Sequence, residues 1–563
     1  MVFVDIPDEF ASALTNANID AAGAARELVV AFAGDFRDPK LLRFLSEPRP
    51  VLFIGLLNGC PILGPLQRLG QSVCIGCTQY WARASTQAPD PEVQPDPTSG
   101  LHLLAGLTRD VISEFNRRGT ISGLDRSLQS IHGRTLDRRR HSIVSLRSCR
   151  FCRREEEIHV KEHCSPLTGI VNRLRRTSQP VAGVYHSYSS FIVPPGSEAV
   201  LSTASRTSWG RGLTAAGAEN SCIGEAIEGY SLMHRGDEAT VRARLSEIDG
   251  IDPRKILLIS QRQYERRECS NHTSARHYIP SPVDIDEPID WLPGTNLTDG
   301  RRTWIPAACC LMSYRFRQGE SEFARADASG CASGRSQTEA ILSALHESIE
   351  RDALAIWWYN RSKRPQVSLD SAGNECLAYI ENEFRLLGRT LTVLDITTDL
   401  NVPAYVGVTT ELDGSRPVIA SAAHLSPRMA LRRTLTEVAL NWFIASKNPC
   451  DEDIREWLKT AVLEQHPHLQ AWGLHALPPE PAPMNTQAQV ECLTSRLAMA
   501  GLHPVAVDLT RDDTLLNTVR VVVPGLRTFK PRYSSGRLYD IPVLLGWRPD
   551  PVPESELNPW CVF

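Results

Sequence analysis

Two short cysteine pairs, Cys74-Ile75-Gly76-Cys77 and Cys149-Arg150-Phe151-Cys152, constrain this chain more than any other feature, because they lie far apart in sequence and together make one ligand set. A single CxxC is compatible with chance or with a redox pair. Two of them supply four thiolates, the number that completes a tetrahedral zinc shell. One ion held by Cys74, Cys77, Cys149 and Cys152 would staple two distant segments across a proline-rich stretch, and structural zinc contributes on the order of 10 kcal/mol to folding. A shell closed by four sulfurs leaves no position for a substrate, so the expectation is a metal without chemistry. The chain has 15 cysteines, an odd number, which suits a reducing compartment where thiols serve packing and metal binding. The opening MVFVDIPDEFASAL carries an early acid and lacks the basic segment and apolar run of a secretory signal, which places the chain in the cytoplasm.

With 563 residues the chain exceeds what one core needs and should divide into domains. A net charge of -4 excludes a dedicated nucleic-acid binder, and no apolar run approaches the roughly 18 residues of a membrane span. Residues 1–87 read as an α/β segment carrying the first CxxC, with 51–57 as a buried strand; 88–100 read as a proline-rich linker, and 101–180 as the second part of the cysteine region. That second part is rich in arginine, including Arg138, Arg139, Arg140 and Arg175, and is read as a solvated face. From 181 to 563 apolar strands such as 391–396 and 403–409 alternate with amphipathic helices, and Pro478, Pro479, Pro481 and Pro483 mark a loop. The fold class expected is α+β, a mixed α/β domain preceded by a smaller α/β domain built on the cysteines.

Carboxylates repeat at helical spacing in two places. Ser221, Glu225 and Glu228 share one helical face opposite Ile223, Ile227 and Tyr230. A helix over 337–356 carries Leu342, Leu345, Ile349, Ala353 and Ile356 as one stripe, with Glu339, Glu347 and Glu350 away from it and Arg351 closing that face. Each helix alone reads as an ordinary solvated surface. If the two faces converge, like charges about 4 Å apart repel by about 4 kcal/mol at a dielectric near 20, and hard cations become the natural partner. Magnesium takes carboxylate and phosphate oxygens together, which offers a way to hold ATP without GxxxxGK[ST], a motif absent here. Trp209-Gly210-Arg211-Gly212 adds glycines for close backbone approach and a guanidinium; GxGxxG is unfulfilled because position 215 is Ala.

These pieces in this order resemble the YcaO family of ATP-dependent enzymes that modify peptide backbones. The resemblance is carried by Gly210-Arg211-Gly212-Leu213-Thr214 followed by Ser221 through Glu228, by Gln337 through Glu339 and Glu347-Ser-Ile-Glu350-Arg351-Asp352-Ala353, and by Ala430-Leu-Arg-Arg433-Thr-Leu-Thr-Glu437. It covers roughly 181–563. Upstream, Gly64-Pro65-Leu66, the two CxxC pairs and Ser165 through Val171 resemble the zinc-binding region fused to azoline-forming members. The resemblance implies a cyclodehydratase of thiazole/oxazole-modified ribosomal peptides. It implies ATP, Mg2+ and Zn2+ as cofactors, with Glu225, Glu228, Glu347 and Glu350 on magnesium, Arg351 in catalysis, and Arg211, Ser221, Gln337, Glu339 and Arg433 on the nucleotide. Its alternatives are thioamide- or macroamidine-forming relatives, which would not be expected to carry the cysteine module, and a catalytically silent precursor-binding scaffold.

The sequence departs from the family at Gly229, where an arginine usually follows the second glutamate, and at Leu440, where a glutamine is usual. The implied partners are a ribosomal precursor peptide, a second copy in a homodimer, a separate leader-binding protein, and a flavin-dependent dehydrogenase where azolines are oxidised onward. The separate leader binder is expected because only about 50 residues precede the strand at 51–57, fewer than a leader-binding winged helix uses. Pro549-Asp-Pro551-Val-Pro553 matches the PxPxP ending of azoline-forming relatives and is expected to reach the active site, with Glu554 to Phe563 folding back outside it on Trp560 and Phe563.

Overall fold

The computed structural model describes residues 2–8, 10, 28–70, 73–84, 97–132, 135, 137–152, 159–197, 206–273, 278–368, 375–447 and 451–559. The chain forms two compact units that are discontinuous in sequence: the first comprises Met1–Arg175, Tyr188–Ser208 and Thr510–Leu516, the second Arg176–Ser187, Trp209–Leu509 and Asn517–Phe563. Most of the expected linker, 88–96, lies outside the described residues; its last four residues, 97–100, instead begin a helix, which opens at Pro97, where a missing N–H costs nothing. Among the described residues no helix is long and apolar enough to cross a membrane.

The first unit is built on a six-stranded sheet in the order β1 (Val2–Val4), β2 (Val29–Ala33), β3 (Val51–Leu57), β4 (Cys60–Gln67), β5 (Ser127–Ile131) and β6 (Arg138–Ser142). β1 to β3 run parallel and the rest antiparallel. The expected strand at 51–57 is buried nearly throughout. Helix α1 (Ile75–Ala84) and helix α2 (Pro97–Arg118) pack against β4, and Leu104, Ile112 and Phe115 of α2 join Leu52, Ile54 and Leu63 in one core. The arginines 138–140 stand exposed on β6, an edge strand, where charge discourages pairing with another chain.

The second unit is layered around one helix. Ser336 caps α4 (Gln337–Tyr359) by accepting from the Glu339 N–H at 3.2 Å, and the helix is preceded in the chain by α3 (Ala215–Leu232), capped by Thr214. On one side α4 packs on strands Cys331–Gly334 and Asn517–Val522 of a sheet made of antiparallel pairs. On its other side lies a second sheet containing Arg389–Asp395, Ala404–Glu411 and Val418–Ala423. The alternation of strand side chains divides this sheet's faces: Leu394, Val406 and Ile419 meet α4, while Val393, Tyr405 and Ala420 meet helix α5 (Pro427–Ser446). From Asp352 to Tyr359 every residue of α4 is buried, so this half of the helix has no solvated face.

Candidate functional site

In the first unit the four sulfurs come together. Cys74 to Cys149, Cys77 to Cys152 and Cys149 to Cys152 are each 3.6 Å between sulfurs, and all four lie within 4.8 Å of one another. A Zn–S bond of about 2.3 Å gives a tetrahedral S···S edge of about 3.8 Å, which these spacings approach, whereas a disulfide needs about 2 Å. Cys74 and Cys77 flank the start of α1, and that start is fixed by Gln67, whose Oε1 accepts from the Ile75 N–H at 2.8 Å. The Cys74 backbone N–H donates to Cys152 Sγ at 3.1 Å, which with the neighbouring thiols favours the Cys152 thiolate, and the Leu146 N–H donates to Cys77 Sγ at 3.4 Å. The second knuckle is anchored by Arg147, which donates to the carbonyls of Thr514 and Leu516 at 3.0 Å each, and by Ser148, held at 2.6 Å by Asp512.

In the second unit α3 and α4 bring Glu225, Glu228, Glu347 and Glu350 into one electrostatic cluster with Arg211, Arg351 and Arg433. Burial, then the charge of Glu347, lifts Glu228 well above the ordinary carboxylate range. Burial also lifts Glu225 and Glu347 to about 7 each, against the opposing pull of Arg211 on Glu225 and of Arg351 on Glu347. Glu225 is the most exposed of the four glutamates, the other three being half-buried. Arg351 spans the acids, 3.3 Å from Glu347 and 3.5 Å from Glu350. Burial works against its charge, but Glu350 and Glu347 outweigh that and raise its pKa. Burial lowers Arg211 to about 10 and lowers Arg433 as well.

The remaining sequence candidates sit further along the same helices. Ser221 is half-buried one turn before Glu225 on α3; Gln337 and Glu339 are exposed on the first turn of α4, where Glu339 accepts from the Arg335 N–H at 3.0 Å. Two participants carried no assigned role in the sequence reading. Glu437 pairs with Arg211, and it lies one helical turn after Arg433 on α5, a spacing that could have flagged it. Ser421 donates to Glu350 at 2.8 Å from a fully buried strand, where an apolar run gave no hint of it.

The glycines of Trp209-Gly210-Arg211-Gly212 serve a different end from the expected phosphate approach. A Cβ on Gly210 would meet the Ala218 carbonyl at 2.1 Å, and one on Gly212 the Ala218 N at 2.7 Å, so both allow the strand to lie against α3. That close packing sets Arg211 beside the carboxylates. Of the two departures, Gly229 is half-buried in α3 and Leu440 is buried on α5.

The proline motif and the residues that follow it contact the far end of α4. Val552 joins the core, the Asn558 N–H donates to the Tyr359 carbonyl at 2.8 Å, and Trp358 Nε1 donates to the Pro559 carbonyl at 2.6 Å. Tyr359 lies nine residues beyond Glu350, about 13 Å along the helix. The link from this end to the cleft is indirect, through Phe529, whose carbonyl accepts from the Tyr359 hydroxyl and whose ring lies 5.1 Å from the Arg351 guanidinium. Trp560 and Phe563 lie outside the described residues.

Comparison with known proteins returns the same region. The profile of a family described as YcaO cyclodehydratase, ATP- and Mg2+-binding, matches residues 209–527, more than half of the chain. A heterocyclase solved in complex with substrate and cofactor superposes with a TM-score of 0.85 at 28% identity, covering 99% of this chain and 85% of its own. The heterocyclase TruD superposes with a TM-score of 0.74 at 27% identity, covering 100% and 84%. An uncharacterized protein of Methanothermobacter thermautotrophicus is 28% identical over 337 residues, 57% of this chain and 81% of the relative.

Proposed function

Because the chain belongs to the YcaO cyclodehydratase family, whose members bind ATP and Mg2+, we propose that it is an azoline-forming cyclodehydratase acting on a ribosomal precursor peptide. In that reaction a Cys, Ser or Thr side chain of the peptide attacks the preceding amide carbonyl, and the resulting hemiorthoamide oxygen accepts the γ-phosphoryl group of ATP with release of ADP. The nitrogen lone pair then expels phosphate and a proton is lost, leaving the ring. The peptide has lost one water. The similar heterocyclase structures support this reading, and they match the chain over nearly its full length, cysteine unit included.

The observation that carries the proposal is the convergence of four glutamates and three arginines from α3, α4, α5 and the strand before α3. Glu225, Glu228 and Glu347, lifted toward neutrality by burial and by neighbouring carboxylates, gain from a hard divalent cation, and with Glu350 beside them they make a donor set that fits magnesium. Those four glutamates would hold magnesium, which when bound would supply neutralisation of the charge on the transferring phosphoryl group. Arg211 and Arg433, lowered in pKa by burial, gain equally from an anionic ligand. Gln337, Glu339 and Glu347 are spread over ten residue steps of α4, about 15 Å, a reach that suits an extended nucleotide. Arg351 bridges Glu347 and Glu350 and can orient both, while Ser421 fixes the Glu350 carboxylate from behind. The four-cysteine cluster fits zinc by donor type and spacing and is assigned to the fold.

The reading includes a separate leader-binding partner, a homodimer, a cytoplasmic setting and a flavin-dependent dehydrogenase acting downstream. The test supplies precursor peptide, leader-binding partner and Mg·ATP, and measures ADP together with the mass of the peptide. Loss of one water per ADP is the expected result. ADP release without mass loss would reject azoline formation, and undiminished ADP release and mass loss with Glu347→Gln in this chain would favour the silent scaffold, the reading that Gly229 and Leu440 motivate.

A further inference from the structure

The second unit contains a cavity of about 130 Å³, lined by Ser348 and Arg351 of α4, by Arg520 and by residues between Leu526 and Arg532. Its wall holds one acid, Asp327, and the basic side chains there can be accounted for in turn. Arg325 pairs with Glu322 at 2.8 Å, Arg351 with Glu347 and Glu350, and Lys530 takes Asp327 at 2.8 Å. Two guanidinium groups are left without a carboxylate, Arg527 at 3% and Arg532 at 8% exposure, and a third, Arg520 at 7%, shares Asp327 with Lys530.

Arg532 donates to the carbonyls of Pro531 and Tyr278 at 3.0 Å each and has no carboxylate within ion-pair distance among the described residues. Arg527 reaches the carbonyls of Ser534 and Ser535 through one Nη only; its Nε and its other Nη have no partner among the described residues. The Asp352 carboxylate, which accepts from the Arg527 backbone N–H at 2.9 Å, is already claimed by Arg537 at 2.6 Å. Arg520 stands 3.9 Å from the same Asp327 that Lys530 holds and donates through one Nη to the carbonyls of Asp327 and Cys310, while its Nε has no partner among the described residues. Burying three arginines this way is costly unless an anion completes them. Burial accordingly lowers Arg527 to about 10 and lowers Arg532 too.

We propose that this cavity is a subsite for a small tetrahedral oxyanion, inorganic phosphate, held by Arg520, Arg527 and Arg532. Forked guanidinium donors match phosphate oxygens in pairs, and the cavity has room for the ion with water. Arg351 belongs both to this wall and to the carboxylate cleft, so phosphate bound here is one guanidinium away from the cluster. A role in receiving product phosphate rests on the function proposed above; the binding itself does not.

The test is a calorimetric titration of phosphate into full-length protein without nucleotide or magnesium. One equivalent should bind to the wild type and to Glu350→Ala, and Arg532→Gln, which strands no carboxylate, should weaken binding by about tenfold or more. No binding to the wild type, unchanged binding to Arg532→Gln, or acetate binding as tightly as phosphate would each overturn the proposal. Tungstate soaked into wild-type crystals locates the ion independently of any variant: an anomalous peak against Arg527 and Arg532 supports the site, and a peak confined to Arg211 and Arg433 rejects it. None of these readouts depends on ring formation.

Discussion

In the first unit four sulfurs crowd within 4.8 Å of one another, with backbone N–H groups already aimed at two of them; in the second, four carboxylates spread along two helices, interleaved with arginines. Among the described residues the cysteines are the one group of three or more ligand-type side chains drawn that close. The difference separates two uses of a cation. A closed, soft, tetrahedral set fixes the geometry of the chain around it, whereas an open set of hard donors, kept under charge tension by burial, is suited to a ligand that comes and goes.

The comparison can be broken most forcefully from the cysteine side. Stripping metal from the four-sulfur cluster should cost on the order of 10 kcal/mol and unfold the first unit, read as loss of cooperative melting and of solubility, with Cys77→Ser following the same course. Zinc-free protein with an unchanged melting profile would show that the cluster needs no ion. From the other side, Glu347→Gln should leave melting close to wild type while lowering precursor-dependent ADP release by about a thousandfold, some 4 kcal/mol of transition-state stabilisation. A parallel drop in stability would erase the distinction between the two sites.

A smaller effect sharpens it. His163, in the first unit, is fully buried beside Trp81 and accepts from the Leu515 N–H at 3.0 Å. Burial, opposed by Asp513, lowers it from 6.5 to about 4. Between those values the unfolded chain binds a proton that the native state refuses, so its contribution is fully present above about pH 6.5 and is lost as pH falls toward 4. At pH 5 the loss is on the order of 2 kcal/mol. Denaturant titrations at pH 7 and pH 5 measure it, and His163→Gln should flatten the slope.

Much of this was legible in the residues, and the unread part has physical reasons. The cysteine spacing gave the ligand set but not its anchor, because Asp512 and Thr514 reach the second knuckle from more than 360 residues away in sequence. Helical periodicity put Glu225 with Glu228, and Glu347 with Glu350, yet it could not distinguish a solvated face from a convergent one; that depends on how α3 and α4 pack. The glycines around Arg211 looked like phosphate-binding glycines because close approach leaves the same signature whether the neighbour is a ligand or helix α3. Ser421 was hidden in an apolar strand. The docking of Asn558, beyond the proline motif, on the Tyr359 carbonyl depends on tertiary contacts that no local pattern encodes.

The central claim is that the carboxylate cleft holds Mg·ATP and that the cysteine cluster has no part in doing so. Calorimetric titration of ATP with and without magnesium into the wild type and Glu350→Ala, in preparations of equal zinc content, tests it most directly. The account predicts magnesium-dependent binding to the wild type and at least about a tenfold loss in the variant, with its melting profile intact. Equal affinity in the two proteins, or binding indifferent to magnesium, would contradict it.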